Sequence, residues 1–207
     1  SASMASAAQD GGRPPGRTAL SGRNAGGFDP VDGGKPGLVF AELPHLGKIN
    51  LRGSADMLPA VKTHTGCTAL PANNSFVTVG DRQLVWLGPD EFLLLCEAGS
   101  EAHLHSQLMR DLGSVHAAAT NVTDSLCALS LRGPAVRQVL AKGCALDLHP
   151  AVFTPGMCAQ TMLSHAAVTL MATEDNRFTV ICRTSFAPYL HDWLLDAGME
   201  YGVSFRG

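Results

Sequence analysis

One pattern occurs twice in this chain, and it constrains the fold more than any other feature. Ile49-Asn50-Leu51-Arg52-Gly53 alternates apolar and polar side chains and stops at glycine; Leu129-Ser130-Leu131-Arg132-Gly133 does the same in the second half. A period of two sends successive side chains to opposite faces, so both read as strands. After the first comes Ser54 to Thr65 and then Gly66-Cys67; after the second comes Pro134 to Lys142 and then Gly143-Cys144. Each is expected to be a short helix closed by glycine, with Pro134 in the first helical turn, where its missing N–H loses no hydrogen bond.

The parallel continues. Leu84-Val85-Trp86-Leu87 and Phe92-Leu93-Leu94-Leu95-Cys96 flank Gly88-Pro89-Asp90-Glu91, a strand, tight turn and strand; the matching pair is Ala167 to Met171 and Phe178 to Cys182 across Thr173 to Arg177. Each half then ends in an amphipathic helix, Ser100 to Leu112 and Ser185 to Ala197, with Ser100 and Ser185 as candidate N-caps. The fold class expected is therefore α+β: two small pseudo-duplicated subdomains, residues 38–119 and 120–207, with antiparallel sheets and helices on one face.

Residues 1–37 stand apart as a tail. They hold nine of the 22 glycines and four of the 12 prolines. With so few large apolar side chains they cannot offset the entropy of ordering themselves, and residues 4–37 are expected to lie along partner chains rather than on the body. Ser1-Ala2-Ser3 reads as an expression remnant before a native start at Met4, and the Gly and Pro density argues against an organelle transit helix.

The formal net charge of -3 gives no electrostatic reason to seek phosphate backbones, so nucleic acid is not an expected partner. From Leu148 to Thr173 there is no Asp, Glu, Lys or Arg, but Pro150, Pro155, Gly156 and Gln160 would strand backbone polar groups in lipid. No membrane span is expected. Six scattered cysteines, Cys67, Cys96, Cys127, Cys144, Cys158 and Cys182, include no C-x-x-C pair. They read as reduced thiols of a cytoplasmic protein, with a framework of three disulfides as the alternative.

No G-x-G-x-x-G, Walker loop, G-x-S-x-G elbow or H-E-x-x-H occurs, so no catalytic, cofactor-binding or metal-binding residue is assigned in this chain. His103 and His105, two apart on a helix, project to different faces. Asp90 and Glu91 fall in a hairpin turn, where acids are ordinary. Cys158 with His149 or His165 has the residue types of a thiolate and base, but nothing in the sequence lowers the thiol pKa, and a buried Cys158 is the expectation. The uncharged, proline-fixed stretch from Asp147 to Gly156 is read as a docking loop, with His149, Pro150, Val152 and Phe153 as partner contacts. Its competing reading is a loop packed on its own subdomain.

Leu131-Arg132-Gly133-Pro134, Val139 through Pro150, Phe153 to Gly156 and Cys158-Ala159-Gln160-Thr161 closely resemble the gamma subunit of heterotetrameric sarcosine oxidase, as do Trp86 to Leu94 and Arg183 to Phe186. The resemblance covers residues 45–200. It implies a non-catalytic subunit of a four-chain flavin-dependent enzyme that demethylates sarcosine to glycine, with hydrogen peroxide formed and the one-carbon unit passed to tetrahydrofolate. The partners it implies are alpha, beta and delta subunits, with FAD, FMN, NAD, tetrahydrofolate and zinc in those other chains and none in this one. It also implies a fold similar to that of the folate-binding glycine-cleavage aminomethyltransferases. A related oxidase or dehydrogenase of another N-methyl amino acid, or a standalone folate-binding transferase-like protein, is the alternative.

Overall fold

The computed structural model describes residues 16–207. The reading of Ser1-Ala2-Ser3 and Met4 concerns residues outside that range. Two sheets form the body. In the first half the chain runs through β3 (Gly47–Gly53), α1 (Leu58–Thr65), β4 (Phe76–Val79), β5 (Arg82–Gly88), β6 (Glu91–Cys96), α2 (Glu101–Leu112) and β7 (Ala117–Asn121). The second half repeats the order with β8 (Leu126–Arg132), α3 (Val136–Ala141), β9 (Cys158–Leu163), β10 (Ala166–Glu174), β11 (Arg177–Arg183), α4 (Ala187–Gly198) and β12 (Val203–Arg206).

The five-stranded sheet has the order β4-β5-β6-β3-β7. The seven-stranded sheet has the corresponding order β9-β10-β11-β8, but two strands from the chain's beginning join it: β2 (Leu38–Glu42) lies between β8 and β12, and β1 (Gly26–Phe28) pairs outside β12. All pairings are antiparallel except β2 with β12. The α+β, pseudo-duplicated architecture is therefore present, with one exchange between the halves. Leu38–Glu42, grouped on sequence with the first subdomain, belongs to the second sheet.

Three apolar layers explain the strand sequences. Phe92, Leu94 and Cys96 of β6 pack with Val61 of α1 and Leu104 and Leu108 of α2. Leu93 and Leu95, on the opposite face, meet Met171 and Ile181 of the other sheet. Phe178, Val180 and Cys182 of β11 pack with Val139 of α3 and Leu190 and Leu194 of α4. A strand buried on both faces has no polar side to show, so these runs read as continuously apolar. The helices lie on the outer faces of two sheets that meet each other.

Local signals held unevenly. Gly66 closes α1 with φ +78, and its N–H donates to Lys62 O at 2.9 Å, the left-handed cap that glycine adopts at no steric cost. Gly133, at φ +134, ends β8 where an added Cβ would stand 2.3 Å from Gly37 O. The strand-ending glycine thus permits the backbone around β2 to approach. The two serines differ: Ser100 occupies the N-cap position of α2, though its hydroxyl donates back to Glu97 O at 2.8 Å and not to the helix, whereas Ser185 sits in a 3-10 turn ahead of α4, whose N-cap is Phe186. Pro134 precedes α3 rather than opening it, because Ala135 is the residue that caps that helix.

Within the described range, the segment ahead of β2 docks on this chain's own body. Leu20 is 4% exposed and belongs to the core that β11 shares with α3 and α4. Arg23 donates to Asp192 Oδ1 at 2.6 Å, and Glu42 Oε2 accepts from Thr18 Oγ1 at 2.9 Å and from Leu20 N at 3.3 Å. For residues 16–37, a tail lying on partners is replaced by one buried apolar anchor, a few polar clamps and a short strand.

Candidate functional site

The loop from Asp147 to Gly156 is organised by a residue that the sequence did not single out. Arg137 of α3 is largely buried, and its Nη1 donates to Leu148 O at 2.8 Å and to Phe153 O at 2.9 Å while Nε donates to Asp175 O at 3.0 Å. The guanidinium lies over the Phe178 ring, 5.0 Å from its centroid. One side chain therefore gathers the two ends of a turn and the β10–β11 hairpin, and charged-donor hydrogen bonds of this kind are stronger than neutral ones.

That clamp divides the loop into an inner and an outer side. Phe153 is 4% exposed and stacks on Phe178 with centroids 6.2 Å apart and planes 12° from parallel. The ring is part of the core under α3 and α4 and not of the loop's exposed side. His149 and Pro150 are exposed, and Val152 is 50% exposed. His149 Nδ1 accepts from Ala151 N at 3.1 Å, and Asp147 Oδ1 accepts from His149 N at 3.0 Å, so the turn is rigid without a partner. A groove of about 490 Å³ runs beside it, walled by Arg137, Gln138, Leu146, His149, Pro150 and Asn176.

A second concave feature lies between the sheets. This cleft of about 420 Å³ has apolar walls from Leu87, Leu93, Val122 and Ile181 and polar groups from Asn50, Glu91, Gln160 and Arg183. Several of the polar groups satisfy one another. Asn50 Nδ2 donates to Glu91 Oε1 at 3.0 Å, Arg52 pairs with Glu91 Oε2 at 3.2 Å, and Thr169 Oγ1 donates to Gln160 Oε1 at 3.0 Å. Glu91 is thus engaged in ion pairing at a hairpin, and Asp90 beside it takes φ +55 in the turn.

The remaining candidates are kept apart. His105 Nε2 bonds Ala119 O at 2.9 Å, whereas His103 is exposed on the other side of α2. Cys158 is buried, its thiol donates to Ser75 O at 3.3 Å, and burial pushes it up to about 11, the opposite of an activated nucleophile. No hydrogen bond joins it to His149 or His165 among the described residues. All six cysteines are free thiols. Among the described residues, no three His, Cys, Asp or Glu side chains form a metal-holding group, and no helix is long and apolar enough to cross a membrane.

The family model for the sarcosine oxidase gamma subunit matches residues 52–200. Curated relatives include the sarcosine oxidase gamma subunit of Corynebacterium sp. strain P-1, 34% identical over 65% of this chain and 66% of that one. The Arthrobacter gamma subunit is 35% identical over 57% of each chain. The matches span two thirds or less of these relatives' own length. Among solved structures, a chain of the heterotetrameric sarcosine oxidase from Corynebacterium sp. U-96, in complex with pyrrole 2-carboxylate, superposes with a TM-score of 0.74 at 30% identity, over 81% of this chain and 87% of that one. The glycine cleavage system aminomethyltransferase T from Bartonella henselae shares the fold, with a TM-score of 0.64 at 15% identity, over 84% of this chain and 48% of that one.

Proposed function

Since the chain belongs to the sarcosine oxidase gamma-subunit family, we propose that it is the non-catalytic gamma subunit of a heterotetrameric, flavin-dependent oxidase that converts sarcosine to glycine. The observation that carries this reading is the match across residues 52–200 together with the 0.74 superposition on a chain of such an assembly. Alpha, beta and delta subunits are the proposed partners. FAD, FMN, NAD, tetrahydrofolate and zinc are assigned to those chains, and the assembly is assigned to the cytoplasm.

Within this proposal the outer side of the loop, His149, Pro150 and Val152, is a docking surface. Pro150 and the two hydrogen bonds at His149 hold the turn before a partner arrives, so ordering it costs little conformational entropy on association. Phe153 supports that surface from beneath.

The test is composition and spectrum. Co-expressed with candidate large subunits, the chain is expected to co-purify with flavin-bearing polypeptides and the complex to oxidise sarcosine. The chain alone is expected to show no flavin absorbance and no amine turnover. Stoichiometric flavin on the washed, isolated chain would overturn the non-catalytic assignment, and failure to associate with any flavin-bearing subunit would overturn the assembly itself.

A further inference from the structure

Cys127 of β8 and Cys182 of β11 stand directly opposite each other in the antiparallel register of the seven-stranded sheet. Residues so placed have Cα atoms about 4.5–5.5 Å apart, inside the span that a disulfide bridges. Both are almost fully buried, at 3% and 2% exposure, on the face of the sheet that α3 and α4 cover. Cys127 lines a cavity of about 230 Å³ that also contains Glu42, Lys48, Thr123 and Asp124, and Cys182 lies beside it on the same face of the sheet.

We propose that Cys127 and Cys182 form a reversible dithiol–disulfide couple, in which peroxide arriving through the cavity beside Cys127 oxidises Cys182 and Cys127 then closes the bridge. Peroxide is the oxygen product expected of the oxidase proposed above, so its local source rests on that reading, whereas the couple itself needs only peroxide.

The surroundings assign the two roles. The nearness of the two thiols raises the Cys127 pKa and lowers that of Cys182, so Cys182 is the sulfur that ionises first and Cys127 the one that keeps its proton longer. Lys48 adds to this. Its Nζ donates to the carbonyls of Leu46 at 2.7 Å and Thr123 at 3.4 Å, and no carboxylate pairs with it among the described residues. Its charge therefore favours the thiolate form at both sulfurs, against the opposing field of Glu42. The acceptor for the Cys127 proton is Glu42 Oε1, 3.8 Å from the sulfur.

The chemistry balances in two steps. The Cys182 thiolate attacks one peroxide oxygen, the O–O bond breaks, and the products are a sulfenic acid at Cys182 and hydroxide, which takes up the proton released from the thiol. Cys127 sulfur then attacks the Cys182 sulfur, passing its proton by way of Glu42, and the sulfenic oxygen leaves as water. Two thiols lose two electrons, one peroxide gains them, and two waters result. The other cysteines supply internal controls: Cys158 is buried with its thiol pushed up, and Cys144 is part-exposed.

The full chain is treated with hydrogen peroxide in stepwise amounts, denatured in N-ethylmaleimide, and mapped by mass spectrometry. The expected result is loss of two alkylation sites and a linked peptide pair joining Cys127 to Cys182, reversed by dithiothreitol. In Cys127→Ser, a cyclic-dione probe should trap sulfenic acid at Cys182 roughly tenfold or more faster than at Cys158, in line with thiolate availability. Cys182→Ser should leave Cys127 unmodified. A wild-type map without the Cys127–Cys182 link, at peroxide levels that already oxidise Cys144, overturns the proposal; so does trapping at Cys127 instead of Cys182. Because the wild-type map involves no substitution, it decides the matter even if a serine variant fails to fold.

Discussion

Phe153 and Val152 are neighbours in sequence with opposite fates, and the difference is measurable. In Phe153→Asp a carboxylate would replace a ring stacked on Phe178 beneath the Arg137 clamp. Removing a buried phenylalanine costs about 3–5 kcal/mol before the charge is considered, a large share of a domain's stability. The isolated variant is therefore expected to lose its cooperative thermal transition, while Val152→Asp keeps the wild-type melt and weakens association with the partner chains. A wild-type melt for Phe153→Asp would place the ring outside the core. The sequence could not assign these sides because an irregular loop has no period to read. Arg137, which decides the matter, is a helix residue whose partners are backbone carbonyls far along the chain, and such contacts leave no mark on local composition. Cys127 and Cys182 are a similar case. Each looks like an isolated buried cysteine until the register of β8 on β11 is known.

Elements were legible where burial on two faces makes a strand continuously apolar or burial on one stripe makes a helix amphipathic. That covers β5, β6, β10 and β11 and the helices α2 and α4, but not the caps, which depend on a residue's backbone conformation rather than its type. The segment ahead of β2 is illegible in the sequence for another reason. Averaged over residues 1–37 the chain is too poor in apolar groups to fold, yet one leucine can anchor it once a core has an opening. Burial of Leu20 is worth about 1.5–3 kcal/mol, enough to hold a segment that strand pairing at Gly26–Phe28 and the Arg23–Asp192 pair then align. Leu20→Asp is accordingly expected to release residues 16–28, with amide exchange at Gly27 and Phe28 rising toward the free-chain rate, while amides of β10 and β11 stay protected. Unchanged exchange at Gly27 and Phe28 would show that the strand pairing holds without the anchor.

At the scale of the molecule, the exchange of β2 decides whether the two halves are separable. Sequence periodicity suggests two self-contained repeats, and the five-stranded sheet does come from one contiguous stretch, β3 to β7. The second sheet does not: its middle requires β2, which bridges β8 to the parallel β12 and puts Leu38 and Phe40, both essentially inaccessible, into the core under α4. A fragment of residues 120–207 would keep β8 to β12 but leave one edge of β8 unpaired and two large cavities where those side chains sit. Each large-to-small loss in a core costs about 2–5 kcal/mol, so the pair alone approaches the 5–15 kcal/mol that typically holds a domain together. The fragment is therefore expected to show no cooperative melt by circular dichroism, and addition in trans of a peptide covering residues 16–45 should restore one. Cooperative melting of 120–207 alone would mean that β12 can close directly onto β8, as β7 does onto β3 in the other sheet, and that β2 is an insertion rather than a structural requirement.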